Sequence, residues 1–263
     1  MSRTSNSPLG NKGFEHLNGN IICAIDVETT GLDPKKHEIV EIAIVALDHK
    51  LERMKGVLPF HHYLKPIRRP ENIDEDAMRV NKIDLAWLKL NGSDPWLVQD
   101  LLDRWFQELN LAPGRKIMPL GMNWPFDRGF IQDWLGPASM DSIFNTLYRD
   151  LEGFALFMND RSDFHAIKCP FTRYKLRDMA RFLGVTQEKA HTAIEDALVL
   201  AECYKRLMTY FIPNNSLFMV NRCVKCCKPF EVTRKEMDLE EFICAKCSTL
   251  IAEDEGQRFA PPE

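Results

Sequence analysis

The sequence predicts a mixed α/β sheet of five strands covered by helices on both faces, and three observations carry that prediction. The apolar run Ile21-Ile22-Cys23-Ala24-Ile25 closes at Thr29-Thr30-Gly31, the pattern of a buried strand. Two further strand-like stretches follow at short intervals, Glu38–Leu47 and about Val57–Leu64, and short connections favour an antiparallel meander. From Asp94 onward, strand and helix patterns alternate, which calls for helices packed against a sheet.

The elements can be justified in order. Asp33-Pro34-Lys35-Lys36 is a turn, and Glu38–Leu47 is rich in β-branched residues. Pro66 and Pro70 make an irregular start to a stretch that holds two short helices, Asp74–Val80 and Asp84–Leu90. Asp94-Pro95 opens a helix in which the apolar residues of the run Trp96–Phe106 recur at helical spacing. That aromatic stripe belongs to the core rather than to a stacking platform. Lys116–Met122 is a fourth strand, and Pro125 fits the first turn of a helix ending near Leu135. A short strand is expected at Ser139–Ser142, then a helix from Ile143 to about Met158 and an irregular stretch from Asn159 to Pro170. Tyr174–Leu183 is helical with Gly184 as its cap, and Thr192 to about Met208 is the last helix before the linker Pro213-Asn214-Asn215.

At 263 residues the chain has room for one sizeable domain plus a small module. No apolar run approaches membrane-spanning length, and the polar stretch Met1–Asn20 lacks the apolar segment of a secretory signal. The expectation is an intracellular, cytoplasmic protein whose 8 cysteines are reduced thiols or metal ligands. The formal charge of −4 does not by itself suggest a nucleic-acid binder. It excludes nothing either, because a cluster of acids that holds cations contributes to the same count.

Asp26 and Glu28 sit two residues apart at the end of the first strand and so point to the same face. Like charges held side by side repel unless a cation lies between them, which makes a divalent-metal site the first hypothesis. Asp127 falls in the first turn of the helix after the fourth strand, where exposed amides favour a carboxylate. If the first and fourth strands are parallel neighbours, Asp127 lies beside Asp26 and Glu28. Thr192 and Glu195 have the spacing of a capping box, which leaves His191 just outside the last helix and Asp196 at the end of its first turn.

Asp-x-Glu on a first strand, Asn-x-x-x-Asp at Asn123–Asp127 and His-x-x-x-x-Asp at His191–Asp196 occur in an order that resembles the DEDDh family of 3′→5′ exonucleases, which includes the DnaQ-like proofreading subunits, RNase T and oligoribonuclease. The resemblance spans roughly Ile21 to Leu207. Asp26–Leu32 looks like the family's first motif, Ala77–Ile83 is similar to a segment that usually reads Ala-x-x-Val-His-Gly-Ile, and Lys175–Val185 looks like the helix that precedes the catalytic His. It implies an RNase H-like sheet and two-metal hydrolysis of phosphodiester bonds in DNA or RNA from a free 3′ end, most naturally in a single strand. It further implies that Asp26, Glu28, Asp127 and Asp196 hold two Mg²⁺ or Mn²⁺ ions, that His191 is the general base, and that Thr29, Thr30 and Asn123 meet the terminal nucleotide. Met122 and Trp124 depart from the family pattern around Asn123, though neither is a metal ligand.

Cys223, Cys226, Cys244 and Cys247 form C-x2-C-x17-C-x2-C, the spacing of a zinc ribbon with one structural Zn²⁺. Cys227 is an alternative to Cys226, which the spacing prefers. Cys23, Cys169 and Cys203 are expected to be small core or surface residues. The expected organisation is a tail at 1–19, an exonuclease domain at 20–212, a zinc-ribbon-like module at 213–255 and a tail at 256–263. The module would grip nucleic acid or dock a protein such as a polymerase, so a proofreading-type subunit and a non-catalytic adaptor stand as alternative readings.

Overall fold

The computed structural model describes residues 17–166, 168–187, 192–210, 219–222 and 229–232. The first three strands are β1 (Ile21–Thr29), β2 (Ile39–Ala46) and β3 (Phe60–Tyr63), joined as the antiparallel meander that their short connections predict. Two short helices, α1 (Glu75–Asn81) and α2 (Leu85–Asn91), and the longer α3 (Pro95–Glu108) precede β4 (Ile117–Gly121). After it come α4 (Trp124–Leu135), α5 (Pro137–Ile143), β5 (Arg149–Asp150), α6 (Leu151–Phe164), α7 (Leu176–Leu183) and α8 (Ala193–Tyr210). The five-stranded sheet has the order β3-β2-β1-β4-β5, in which β4 runs parallel to both β1 and β5. This is the mixed sheet of an RNase H-like fold.

Every residue of β2 is buried, Glu41 included, so the sheet is covered on both faces at this strand, as its largely apolar sequence requires. Ile25, Ile42 and Ile44 pack with Val98 and Leu102 of α3 and with Trp124, Phe130 and Ile131 of α4. α3 and α4 are also clasped laterally. Gln99 donates to the Trp134 carbonyl at 2.6 Å, and the Trp134 indole donates to that of Pro95 at 3.2 Å. Short aspartate caps start the helices of the insert between β3 and β4. Asp74 accepts from Asp76 and Ala77, Asp84 from Ala86 and Trp87, and Asp94 from Trp96. Cys23 and Cys203 are fully buried, and Cys169 is half-buried.

The stretch after α4 is where the sequence reading fails. Ser139–Ser142 is not a strand but part of α5, because Gly136 turns the chain at φ 78° and Pro137 opens a new helix at once. The expected helix from Ile143 starts only at Leu151, after the two-residue strand β5, and it runs on to Phe164, into the stretch expected to be irregular. A two-residue strand has no periodicity to betray it. It exists because β4 offers an open edge, where Leu120 pairs with Arg149 and Gly121 with Asp150. Near the C-terminus, α7 ends as predicted, with Gly184 in the left-handed region at φ 68°.

A charged network fastens the start of the insert. The buried Glu38 carboxylate accepts from the backbone amides of Arg68 at 3.0 Å and Arg69 at 2.7 Å. Both guanidinium groups then reach Asp133 of α4, at 2.9 and 3.1 Å. One acid just ahead of β2 and one of α4 thereby hold the loop that leads to α1.

The chain separates into two units, and among the described residues the division falls between Lys205 and Arg206, inside α8. Beyond α8, the second unit shows β6 (Met219–Arg222) and β7 (Pro229–Val232) as an antiparallel pair, with Met219 opposite Val232 and Arg222 opposite Pro229. The cysteines at 223, 226, 227, 244 and 247 lie outside the described residues, and so does the expected zinc site. No described helix is long and apolar enough to cross a membrane.

Glu38→Ala is expected to lower the unfolding free energy by about 2 kcal/mol, since it leaves two half-buried amides without their acceptor and breaks a half-buried ion pair. Urea denaturation would measure the loss, and Glu38→Gln, which keeps an acceptor, should lose less.

Candidate active site

Pairing between β1 and β4 stops at Ala24 opposite Leu120, while β1 runs on to Thr29. The carboxyl ends of two parallel strands therefore open a crevice, the usual place for a ligand in such a sheet. β4 turns sharply into α4 here. A Cβ on Gly121 would lie 2.9 Å from the Cβ of Trp124, and Asn123 takes the left-handed conformation at φ 66°. Asp150, at the end of β5, holds the turn by accepting from the amides of Asn123 at 3.0 Å and Trp124 at 2.8 Å. This aims the first turn of α4, and with it Asp127, at the exposed end of β1. The Val27 amide, left without a strand partner on that side, donates to Asp127 Oδ1 at 3.2 Å.

Asp26 and Glu28 lie on the same face of β1, as their spacing predicts. Asp196, in the first turn of α8, joins them, and one carboxylate oxygen from each of the three lies within 4.8 Å of the others. Asp127 is buried close by. Burial pushes the Asp26 carboxyl well above the usual range, with help from the charges of Asp127, Glu28, Asp196 and Glu41. Burial, then Asp196 and Glu41, raise Glu28 to about 8. Burial raises Asp127 too, and the Val27 amide, which favours its charged form, opposes that only in part. The site thus strains against its own negative charge. A cation among the carboxylates would relieve it, and an all-oxygen donor set suits a hard divalent ion.

Several residues with no place in the sequence reading support this cluster. Glu41 stands opposite Glu28 across the β1–β2 ladder, is fully buried, and bonds to His61 Nε2 at 2.8 Å. Burial of Tyr63, and after it the charge of Glu41, push the Tyr63 hydroxyl up to about 12. A single acid in the midst of the β2 apolar run was a legible signal for Glu41. Gln187, which donates to Asp196 Oδ1 at 2.7 Å, had none. Asn81 occupies the place where the resembling segment carries His. It donates to the Thr29 carbonyl at 3.2 Å and accepts from the Ile83 amide at 3.0 Å. Lys82 follows in the left-handed conformation at φ 60°, where that segment carries Gly.

The other expected site residues divide. Thr30 is fully buried, and its hydroxyl accepts from the Glu38 amide at 2.9 Å, so its side chain is spent inside the turn. The Thr29 hydroxyl donates to the Gly31 carbonyl at 2.6 Å. Asn123 makes no side-chain cap bond, and Trp124 is buried in the core. The capping box at Thr192 is not formed. The Asp196 amide bonds to the Thr192 carbonyl at 3.0 Å, but the buried Thr192 hydroxyl has no partner among the described residues. His191 lies outside the described residues.

Beside the cluster, Glu41, Tyr63, Asn81, Lys82, Trp87 and Thr192 are among the residues that wall a cavity of about 360 Å³. The Tyr63 and Trp87 rings meet edge to face at 5.1 Å.

Residues 23–204 match the family model described as RNase_T, exonuclease. That is well over half of the chain, which therefore belongs to this exonuclease family. No curated protein matches by sequence. Among solved structures, cell-death related nuclease 4 superposes with a TM-score of 0.54 at 16% identity, over 73% of this chain and 64% of its own. A 3′-exonuclease described with a histone mRNA stem-loop gives 0.53 at 17%, over 85% and 74%. Exonuclease I of E. coli, in complex with a dA16 oligonucleotide, gives 0.55 at 15%, over 72% and 41%, so this chain spans well under half of that enzyme. At such identities the likeness is one of fold.

The pH dependence of stability follows from the raised carboxyls. In metal-free buffer, Glu28 favours folding while protonated, and that contribution is lost as pH rises from 4.5 through about 8. Glu28→Gln is therefore expected to raise the metal-free melting temperature at about pH 8.5 and to flatten its decline with pH. Mn²⁺ should stabilise the unsubstituted chain more at about pH 8.5 than at about pH 5.5. Scanning calorimetry with and without the ion checks both.

Proposed function

We propose that this chain is a divalent-metal-dependent 3′→5′ exonuclease of the DEDDh type, which removes nucleotides from the free 3′ end of a DNA or RNA strand. The observation that carries the reading is the convergence of Asp26, Glu28 and Asp196, from opposite ends of the sequence, within 4.8 Å in a crevice of an exonuclease-family fold. Its direction draws support from a fold neighbour whose description names a 3′-exonuclease. That one fold neighbour is described with an RNA stem-loop and another with a DNA oligonucleotide keeps both polymers within the proposal.

Asp26, Glu28, Asp127 and Asp196 would hold two Mg²⁺ or Mn²⁺ ions. When bound, such ions supply activation of a water and stabilisation of the departing 3′ oxygen. The chain's own residues do the rest. His191, by the family pattern, takes the proton from the attacking water. Thr29 and Asn123 flank the cluster where the terminal nucleotide would lie. The cavity next to the carboxylates seats its nucleoside, with Tyr63 and Trp87 as aromatic walls and Lys82 as a cation.

The C-terminal residues suit a separate zinc-ribbon-like module at 213–255, with Cys223, Cys226, Cys244 and Cys247 as thiolate ligands. β6 and β7 support it by their position, because they bracket residues 223–228 as an antiparallel pair. The module would contact nucleic acid or a protein partner.

With Mg²⁺ or Mn²⁺, the purified chain is expected to release mononucleotides from a 3′-labelled oligonucleotide, and Asp196→Asn should cut the rate by about a thousand-fold. A substrate whose 3′ end is blocked should resist. Equal release by both proteins would reject the reading. Elemental analysis should find about one zinc per chain, and Cys223→Ser with Cys226→Ser should abolish it.

A further inference from the structure

Asp196 is a carboxylate at the start of a helix, and something must set which way it faces. Its Oδ1 accepts from Gln187 Nε2 at 2.7 Å. Gln187 comes from the chain just after α7, which is firmly tied. Gly184 closes that helix in the left-handed conformation, and the Val185 amide bonds back to the Ala180 carbonyl at 2.8 Å. The side-chain amide has one sensible orientation, since reversal would set its oxygen against the carboxylate. Its Oε1 is buried with no partner among the described residues. A side chain kept for packing alone would not carry a buried, unpaired acceptor, so the bond to Asp196 is what accounts for a Gln there.

We propose that Gln187 is a positioning residue for the cation site. It holds the Asp196 carboxylate at one rotation, so that this ligand meets Asp26 and Glu28 already aligned. The donor is neutral. It orients the carboxylate without adding a charge that competes with the cation, as a Lys or Arg at the same place would. Partners of this kind, which act through a ligand, change metal affinity by about 10- to 100-fold when removed. The inference rests on the reading of Asp26, Glu28 and Asp196 as cation ligands.

The test is Mn²⁺ binding to the full chain, measured by titration calorimetry without nucleic acid, alongside the melting temperature in metal-free buffer. Gln187→Met keeps the bulk and removes the donor, and Gln187→Ala is the second variant. The expected result is a dissociation constant for Mn²⁺ raised about 10-fold or more with an unchanged metal-free melting temperature. Hydrolysis should recover towards the unsubstituted rate as Mn²⁺ approaches saturation. Unchanged affinity in both variants overturns the role of Gln187 while leaving the cation site standing. A fall in melting temperature that accounts for the affinity loss overturns it in favour of a structural role. Failure of the unsubstituted chain to bind Mn²⁺ overturns the cation site itself, and the inference with it.

Discussion

Electrostatic repulsion among buried carboxylates is the constraint from which the rest of this structure follows. Asp26, Glu28, Asp127 and Asp196 crowd one crevice, with Glu41 just behind, and burial removes the water that would screen them. Left to themselves such side chains would swing apart. Three of them are tied by a hydrogen bond from a different element: Asp127 by the Val27 amide, Asp196 by Gln187 and Glu41 by His61. Asp26 and Glu28 are held by the alternation of β1 itself. The fold works as a brace that keeps like charges close.

The insert between β3 and β4 adds a wall to that crevice. Glu38, Arg68, Arg69 and Asp133 fasten its beginning, and the Asp74 amide bonds to the Thr30 carbonyl at 2.8 Å. Asn81 then bonds to the carbonyl of Thr29, on the strand that carries Asp26 and Glu28. Lys82 stands in a left-handed conformation that a Gly would adopt more readily, so the chain accepts local strain where a cationic side chain lines the cavity. The wall and the carboxylates are thus anchored on the same strand, β1.

Long periodic elements were legible because each carries its own signal. The β-branched run of β2, the Asp-Pro start of α3 and the glycine cap of α7 are all local. The stretch between Gly136 and Leu151 was not legible. β5 is two residues long and owes its existence to the open edge of β4, while α5 is announced only by Gly136-Pro137. The proposed capping box failed for a related reason. Thr192 and Glu195 have the right spacing, but the Thr192 hydroxyl is buried without a partner among the described residues.

By itself the sequence determined which residues could carry chemistry. Alternation placed Asp26 and Glu28 on one face, and helix-start patterns placed Asp127 and Asp196 in first turns, because those relations span only a few residues of backbone. Tertiary structure alone decided that the separate pieces meet. Parallel pairing of β1 with β4 stops at Ala24, which opens the crevice and frees the Val27 amide for Asp127. It also brought Glu41, Asn81 and Gln187 to the site. Asn81 reaches the Thr29 carbonyl across 52 residues and Gln187 reaches Asp196 from one helix end to the next, and apart from the lone acid at Glu41 no local pattern announces these contacts.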